Sequence, residues 1–456
     1  MITKYPSIQA LLTTRWINKV DSPEMTALKV AVIGAGAAGL CAARYLGAKP
    51  DVFQPVVFEQ TGRIGGTWVY VEETGQDKNG LPIHSSMYET LKTNLPKEIM
   101  AFTDFPFRDT LPSFIGHADV LKYLEDYADH FKLLRHIKFW TVVESVTPIK
   151  KEELDREKWI VKVKNVLDKS RPVESDVFDA VIVCNGHYSV PYTPPIPGLE
   201  EFKGDFIHSH HYRRPDGYKD KIVAMIGAGN SGTDIAVDLA SFAKKVFLCH
   251  WNAPMTTKLP DNVEQIQTVK AIKRDKMVEF ADGREEEVDA IIACTGYDYS
   301  FPFLSPECQL TIHNKHIKQL YLHLMHIVYP TMSFIGITYK VCPFPQFAAQ
   351  VRLVLAVLEG SFVLPSRQEM EEEERITFEK LLESGKHERF YHFLDDGKQW
   401  AYNTQLANMG GFEDLNPCVE DLYNKVSLQR KINAMNYKNM RYRLTDDWWE
   451  QVSDAK

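Results

Sequence analysis

Two copies of one glycine pattern constrain this chain more than any other feature. The first reads Lys29-Val30-Ala31-Val32-Ile33-Gly34-Ala35-Gly36-Ala37-Ala38-Gly39. The second reads Lys221-Ile222-Val223-Ala224-Met225-Ile226-Gly227-Ala228-Gly229-Asn230-Ser231-Gly232. A lone Gly-x-Gly-x-x-Gly is weak evidence, but each copy here follows an aliphatic strand and precedes a helix-forming run, the context the pattern requires. The first glycine permits a tight turn, the second lets backbone approach a pyrophosphate, and the third allows close helix–strand packing. Phosphates then sit at a helix N-terminus, where N–H groups and the helix dipole favour negative charge. The closing strands match as well: Asp179-Ala180-Val181-Ile182-Val183-Cys184-Asn185-Gly186 and Asp289-Ala290-Ile291-Ile292-Ala293-Cys294-Thr295-Gly296. The expected fold is α/β, with two Rossmann-like dinucleotide-binding domains. A chain holding two dinucleotides points to electron transfer between a flavin and a nicotinamide.

The two modules predict different ligands. In the first, Val56-Val57-Phe58-Glu59 is a second strand ending in an acid. Glu59 lies about twenty residues after the last glycine, placed to accept ribose hydroxyls. Gly62-Arg63-Ile64-Gly65-Gly66-Thr67-Trp68 follows, and its paired glycines allow further backbone contact with pyrophosphate. These features favour FAD. The second module has no acid at the equivalent place; Lys245-Val246-Phe247-Leu248-Cys249 runs into His250, Trp251 and Asn252. An acid there would repel a 2'-phosphate, so its absence permits NADPH. Lys244, Lys245, Arg213, Arg214 and His250 are the candidate phosphate partners.

Composition narrows the class. With 456 residues the chain can build two or three domains, and 44% hydrophobic with 25% charged residues is ordinary for a soluble globular protein. A net charge of -8 argues against a general nucleic-acid binder. The Glu371 to Glu374 run reads as a solvated helix face. No apolar stretch reaches the roughly 18 residues of a membrane span. Ala10-Leu11-Leu12 is too short for a signal-peptide core. The expectation is a soluble, cytoplasmic protein without a membrane anchor, or a secreted one already trimmed of its signal. Seven cysteines occur without a Cys-x-x-Cys pair, and Cys184, Cys249 and Cys294 each end an aliphatic run. They read as small core residues, and the missing dithiol counts against a disulfide reductase.

The distance from first to closing glycine is far longer in the first module than in the second. The excess predicts an insertion, much of it between Thr67 and Pro148, carrying something specific to this protein. Pro191, Pro194, Pro195, Pro197 and Pro215 mark an irregular linker between the modules. A helix is predicted after Pro345, with Phe347, Val351, Val354, Leu355 and Leu358 at helical spacing. The last ninety or so residues read as mostly helical packing or assembly elements.

Between the two glycine patterns stands Phe202-Lys203-Gly204-Asp205-Phe206-Ile207-His208-Ser209-His210-His211-Tyr212. It resembles the identifying Phe-x-Gly-x-x-x-His-x-x-x-Tyr/Phe motif of the flavin-containing monooxygenases; the related Baeyer–Villiger enzymes end a similar motif in Trp. Cys294-Thr295-Gly296-Tyr297-Asp298 resembles that family's Ala-Thr-Gly-Tyr linker. With the FAD glycines and the Glu59 to Trp68 segment, four motifs occur in the family's order, from about Lys29 through Arg352. The resemblance implies an NADPH domain inserted in an FAD domain: residues 1–205 as the first part of the FAD domain, 206–296 as the NADPH domain, and 297–456 as the second FAD part with a helical C-terminal region.

The resemblance also implies site residues. Leu91-Lys92-Thr93-Asn94-Leu95-Pro96 is similar to the segment whose asparagine stands beside the flavin ring, so Asn94 is the expected active-site residue. Cofactor-binding residues are expected at Gly34, Gly36, Gly39, Glu59, Gly65, Gly66, Thr67, Trp68, Gly227, Gly229, Asn230, Ser231, Gly232, Thr295, Gly296 and Gln350; a packing role for the Gln350-Val351-Arg352 helix is equally open. Two departures stand out. The family often places Ser or Thr and then Arg where this chain has His250-Trp251-Asn252, and the hydrophobic C-terminal anchor of vertebrate members is absent. Compact chains of this kind resemble insect members, including the pyrrolizidine-alkaloid N-oxygenases.

The activity implied is NADPH-dependent monooxygenation. NADPH reduces FAD, O2 adds to give a C4a-hydroperoxyflavin, and a soft nucleophile takes one oxygen. N-oxygenation of tertiary amines such as N,N-dialkylanilines or pyrrolizidine alkaloids is expected, or S-oxygenation, in xenobiotic detoxification. The substrate supplies the nucleophile, so no catalytic triad is expected, and no metal: His208, Ser209, His210 and His211 lack the spacing of a zinc site. A Baeyer–Villiger enzyme acting on ketones is the rival activity, and an FAD-loaded binding protein without turnover the rival of another class. A homo-oligomer is compatible with the aromatic, polar C-terminal region.

Overall fold

A computed structural model describes residues 26–149, 157–251, 253–394, 397–445 and 447–452. The N-terminal stretch read above for a signal core, and Asn252, lie outside the described residues.

Each glycine pattern opens the central strand of a parallel sheet. Leu28–Ile33 pairs with Phe53–Phe58 on one side and Ala180–Val183 on the other. Ile222–Ile226 pairs in the same way with Lys245–His250 and Ala290–Ala293. These strands are buried on both faces. Val30 and Val32 enter one core while Ala31 and Ile33 enter another, and Val223 and Met225 likewise diverge from Ala224 and Ile226. That is why the sequence runs aliphatic without alternation. The aspartates opening the closing strands have a shared task. Asp179 Oδ2 accepts the Lys29 N–H and Asp289 Oδ2 the Ile222 N–H, each at 2.9 Å, tying down the first residues of the central strands.

The likeness continues outward. The first sheet adds Ile137–Lys138 beyond Phe53–Phe58, and the second adds Val263–Gln267 beyond Lys245–His250, all parallel. A three-stranded antiparallel sheet comes next in both modules: Thr141–Ile149, Lys158–Asn165 and Glu174–Phe178, against Val269–Arg274, Met277–Phe280 and Glu285–Glu287. On the far side of each closing strand lies one more parallel strand. In the first module it is Met332–Phe334, drawn from beyond the second module; in the second it is Asp205–His208, drawn from before it. The first sheet ends with the short antiparallel strands Leu320–Tyr321 and Met325–His326. The strands after Ile137 therefore have counterparts in both modules. The residues particular to the first module lie before them, a narrower stretch than the Thr67 to Pro148 insertion expected from length.

That extra stretch bridges the modules. Tyr88 and Leu91 pack into the core of the second sheet, whereas the helix His117–His130 packs into that of the first. The helix predicted after Pro345 spans Pro343–Glu359; it starts earlier because proline suits the first helical turn. Helices Arg367–Glu383, Lys398–Gly410 and Pro417–Ile432 follow, then the hairpin Arg441–Leu444 and Trp449–Val452. On Arg367–Glu383, Glu371 and Glu372 are exposed and paired with arginines, while Glu374 turns inward to accept the Gln319 N–H at 3.0 Å. Among the described residues no helix is long and apolar enough to cross a membrane.

Candidate active site

The glycine loops have matching geometry. A Cβ on Gly39 would lie 1.8 Å from the Gly34 carbonyl oxygen, and one on Gly232 would lie 1.8 Å from that of Gly227. Only a bare backbone lets helices Ala37–Gly47 and Asn230–Leu239 start that close to their strands. Gly34 and Gly227 have φ of 101° and 108°, and a Cβ on either would meet the carbonyl oxygen of Cys184 or Cys294 at 2.7 Å. The small Cys184 and Cys294 side chains lie beside the third glycines. Burial pushes both thiols up, Cys294 to about 12, so these are packing residues rather than nucleophiles. The residues before the helices, Gly36 and Gly229, leave the first-turn N–H groups without a side-chain cap. Both loops fit a pyrophosphate.

In the first module the paired glycines come to the loop. Gly65 N–H donates to the Ala35 carbonyl at 3.0 Å, and a Cβ on Gly66 would come 3.0 Å from Gly36 Cα. Thr67 Oγ1 lies 3.5 Å from Ser86 Oγ, and the Trp68 ring packs edge-on against Phe344 at 6.4 Å. Glu59 is buried at the end of its strand. One carboxylate oxygen accepts Ala35 N–H at 2.9 Å; the other accepts Thr61 N–H at 2.9 Å and Thr61 Oγ1–H at 2.8 Å. Three of about four acceptor sites are thus used by protein, leaving room for one ribose hydroxyl. Gln350 is fully buried, with Oε1 accepting Gly336 N–H and Nε2 donating to Tyr402 Oη, each at 2.9 Å. Both ends of its amide hold the core together.

In the second module, Asn230 and Ser231 open the phosphate helix, and Thr295 Oγ1 donates to the Tyr192 carbonyl. Gly296 takes φ 79°, as Gly186 takes 72° in the first. Three of the candidate phosphate partners are committed elsewhere. Arg213 is buried and donates to the carbonyls of His210, Tyr212, Glu73 and Ser85, clasping the extra stretch of the first module. Arg214 pairs with Glu72, and Lys245 with Glu264 at 2.8 Å. Lys244 is exposed, His250 is buried at the strand end, and Trp251 beside it is 81% exposed.

The motif between the modules is architectural. Gly204 passes so close to the Phe202 ring and the Asp289 carbonyl that a Cβ would meet them at 2.4 and 2.5 Å. His208 ends the outer strand of the second sheet, its Nδ1 accepting the His210 N–H at 3.0 Å. Burial holds both His208 and His210 near pKa 4, so they are neutral at pH 7. Tyr212 Oη donates to Asp238 on the phosphate helix at 2.6 Å. Among the described residues no group of three or more His, Cys, Asp or Glu is arranged to hold a metal.

Asn94 sits at the junction of the modules. Thr93 before it is tied to Ile115 by two hydrogen bonds, and Leu95 after it packs into the first core. Its Oδ1 accepts from the Tyr437 hydroxyl at 3.5 Å, at the outer limit of a hydrogen bond. Beside it Lys438 donates to the Lys92 carbonyl at 3.0 Å and to Asp234 Oδ2 at 2.6 Å. The C-terminal region, which the sequence left without a chemical role, therefore reaches the candidate site across more than three hundred residues. No local pattern signals that contact. Two surface depressions, of about 560 and 240 Å³, take no residue from the glycine loops or the Asn94 segment.

Comparison with known proteins agrees with this geometry. The family described as flavin-binding monooxygenase-like matches residues 27–259 and 255–444. Flavin-containing monooxygenase FMO GS-OX-like 7 of Arabidopsis thaliana is 37% identical over 445 residues, 94% of this chain and 92% of that protein. The structure of S-allyl-L-cysteine S-oxygenase from Allium sativum superposes with a TM-score of 0.83 at 35% identity, covering 93% of this chain and 97% of that one. Tmm from Pelagibacter sp. strain HTCC7211 gives a TM-score of 0.81 at 25% identity, over 93% of this chain and 96% of that one. These matches support the plant GS-OX type and replace the insect type expected from sequence. The chain belongs to the flavin-binding monooxygenase-like family and works with FAD and NADPH.

Proposed function

We propose that this protein oxygenates soft nucleophiles, thioethers first and tertiary amines second, with NADPH and O2 as co-substrates. In the balanced reaction, NADPH, H+, O2 and a thioether give NADP+, water and a sulfoxide. When bound, FAD supplies the redox chemistry, accepting a hydride from NADPH and activating O2. The protein's own residues bind, orient and exclude water. Residues 1–205 and 297–456 are assigned to FAD and 206–296 to NADPH. Gly34, Gly36, Gly39, Gly65 and Gly66 cradle the FAD pyrophosphate, Thr67 and Trp68 line its approach, and Glu59 takes a ribose hydroxyl. Gly227, Gly229, Asn230, Ser231 and Gly232 take the NADPH pyrophosphate, with Thr295 and Gly296 at the closing turn.

One observation carries the reading: Asn94 lies where the stretch peculiar to the first module crosses to the phosphate helix of the second. With both cofactors bound, an amide there would stand near their reactive ends and help keep stray protons away, and an asparagine would do so without titrating. The thioether preference is supported by the 35% identical Allium enzyme, whose substrate is a cysteine S-conjugate. The deciding experiment measures NADPH consumption and product mass with S-allyl-L-cysteine, a pyrrolizidine alkaloid, an N,N-dialkylaniline and a cyclic ketone. Sulfoxide is expected in the greatest yield. Lactone as the main product would instead assign Baeyer–Villiger chemistry, and no turnover with any of the four would overturn the proposal.

A further inference from the structure

The chain between the last long helix and the final hairpin crosses the boundary of the two modules. Ala434 N–H donates to Thr257 Oγ1 of the second module at 2.9 Å. Lys438 then touches both modules, through Asp234 on the phosphate helix and the Lys92 carbonyl two residues before Asn94. Tyr442 N–H donates to Ser113 Oγ at 2.8 Å, on the side of the first module. Tyr437 is buried against Phe114, ring centroids 5.4 Å apart, with its hydroxyl on Asn94. We propose that Lys438, with Tyr437 beside it, is a positioning residue that fixes the register between the second module's phosphate helix and Asn94.

A packing role alone does not call for this residue. Lys438 and Asp234 keep only 18% of their side-chain surface exposed. Removing two charges from water is costly, and an apolar pair of the same volume would fill the space as well. What the charges add is direction. One ammonium holds a carboxylate on one module and a carbonyl on the other, and sliding the phosphate helix by one residue, about 1.5 Å of rise, would leave the ammonium unable to keep both bonds. A dinucleotide anchored by its phosphates at Asn230 and Ser231 has the position of its reactive end set by that helix. The same displacement therefore moves the hydride donor relative to Asn94. Tyr437 adds orientation: with Oδ1 accepting from the phenol O–H, the Asn94 amide keeps its NH2 as the donor.

This rests on Asn94 being the site residue, so the two are tested side by side. Lys438→Met keeps the length and removes the charge. It should retain FAD and slow flavin reduction by NADPH in stopped flow by roughly tenfold, the scale of a sub-ångström misplacement. It should also raise the share of NADPH diverted to hydrogen peroxide, and Lys438→Arg should restore both. Tyr437→Phe should raise peroxide release without slowing reduction. Unchanged reduction and coupling in Lys438→Met at full FAD content would overturn the proposal. So would loss of FAD with a lowered melting temperature in both Met and Arg variants, which would make Lys438 a packing residue. Asn94→Ala is the control: if it alone leaves coupling intact, the site reading fails, while the Lys438 reduction rate still decides the register.

Discussion

The two nucleotide modules share a backbone plan and differ in what is attached to it. Both have the same parallel strand order, an aspartate holding the start of the central strand, a cysteine beside the third glycine, and a three-stranded appendage before the closing strand. They part company after the second strand. The first turns into Glu59 and the Gly65-Gly66 segment, which folds back on its own glycine loop. The second ends in His250 and an exposed Trp251, and the contact beyond them is made by a side chain, Met255 Sδ accepting from Thr233 Oγ1 at 3.8 Å on the helix after the glycine loop. A backbone clasp on the loop suits a cofactor that stays, and a side-chain contact on the helix one that comes and goes with each turnover. The stretch peculiar to the first module supplies the crossing to the second, so the difference between the modules is also what joins them.

The comparison can be broken most forcefully at the third glycines. Gly39→Ala and Gly232→Ala each place a methyl inside van der Waals contact with a carbonyl, costing about 3 kcal/mol or more. Gly39→Ala should purify colourless, whereas Gly232→Ala should stay yellow and fail to bleach with NADPH. If both lose flavin, the modules do not act separately. Next in size is Glu59→Gln. Three donors converge on that carboxylate, and neutralising it weakens charge-assisted bonds by about 2 kcal/mol. FAD affinity on reconstitution of the apoprotein should fall more than tenfold, with the NADPH KM unchanged.

Smaller effects test the equivalence of the two plans. Asp179→Asn and Asp289→Asn should each cost about 1 kcal/mol in urea unfolding, because each keeps an acceptor for the strand N–H and loses a half-exposed lysine partner. Unequal losses would show that one module tolerates a frayed central strand better. The smallest effect at neutral pH belongs to the buried histidines. Burial lowers His208 and His210 of the second module, and His323 and His326 of the first, from 6.5 to about 4. Unfolded histidine takes up its proton as pH falls below 6.5, the folded form only near 4. The stability is therefore complete above pH 6.5 and declines as pH falls toward 4. Melting temperature against pH should show this, with a shallower acid slope in His210→Asn.

Much of the site was legible because it is local. Gly34, Gly39 and their counterparts are demanded by close backbone approaches within a few residues or to a matched closing strand, and Glu59 by the end of its own strand. The reading failed where a residue's partner lies far away. Arg213 stood among five candidate phosphate partners because a cationic side chain says nothing about which carbonyls surround it; four of them do. For Gln350 the sequence left cofactor contact and packing equally open, and it gave no sign that the amide ends would meet Gly336 and Tyr402. The apparent insertion was too long because its end, from Ile137 on, builds strands that the second module also has.

Local chemistry in the chain settled that there would be two tight glycine turns between strand and helix, and the aliphatic strands that carry them. Such features need only φ, side-chain size and spacing among near neighbours. Tertiary structure alone decided that the outer strand of one sheet comes from before its module and that of the other from long after. It alone brought Tyr437 and Lys438 onto Asn94 and Asp234. Those meetings depend on how separately folded surfaces dock, and docking is fixed by the summed shape and charge of many residues rather than by any short run of sequence.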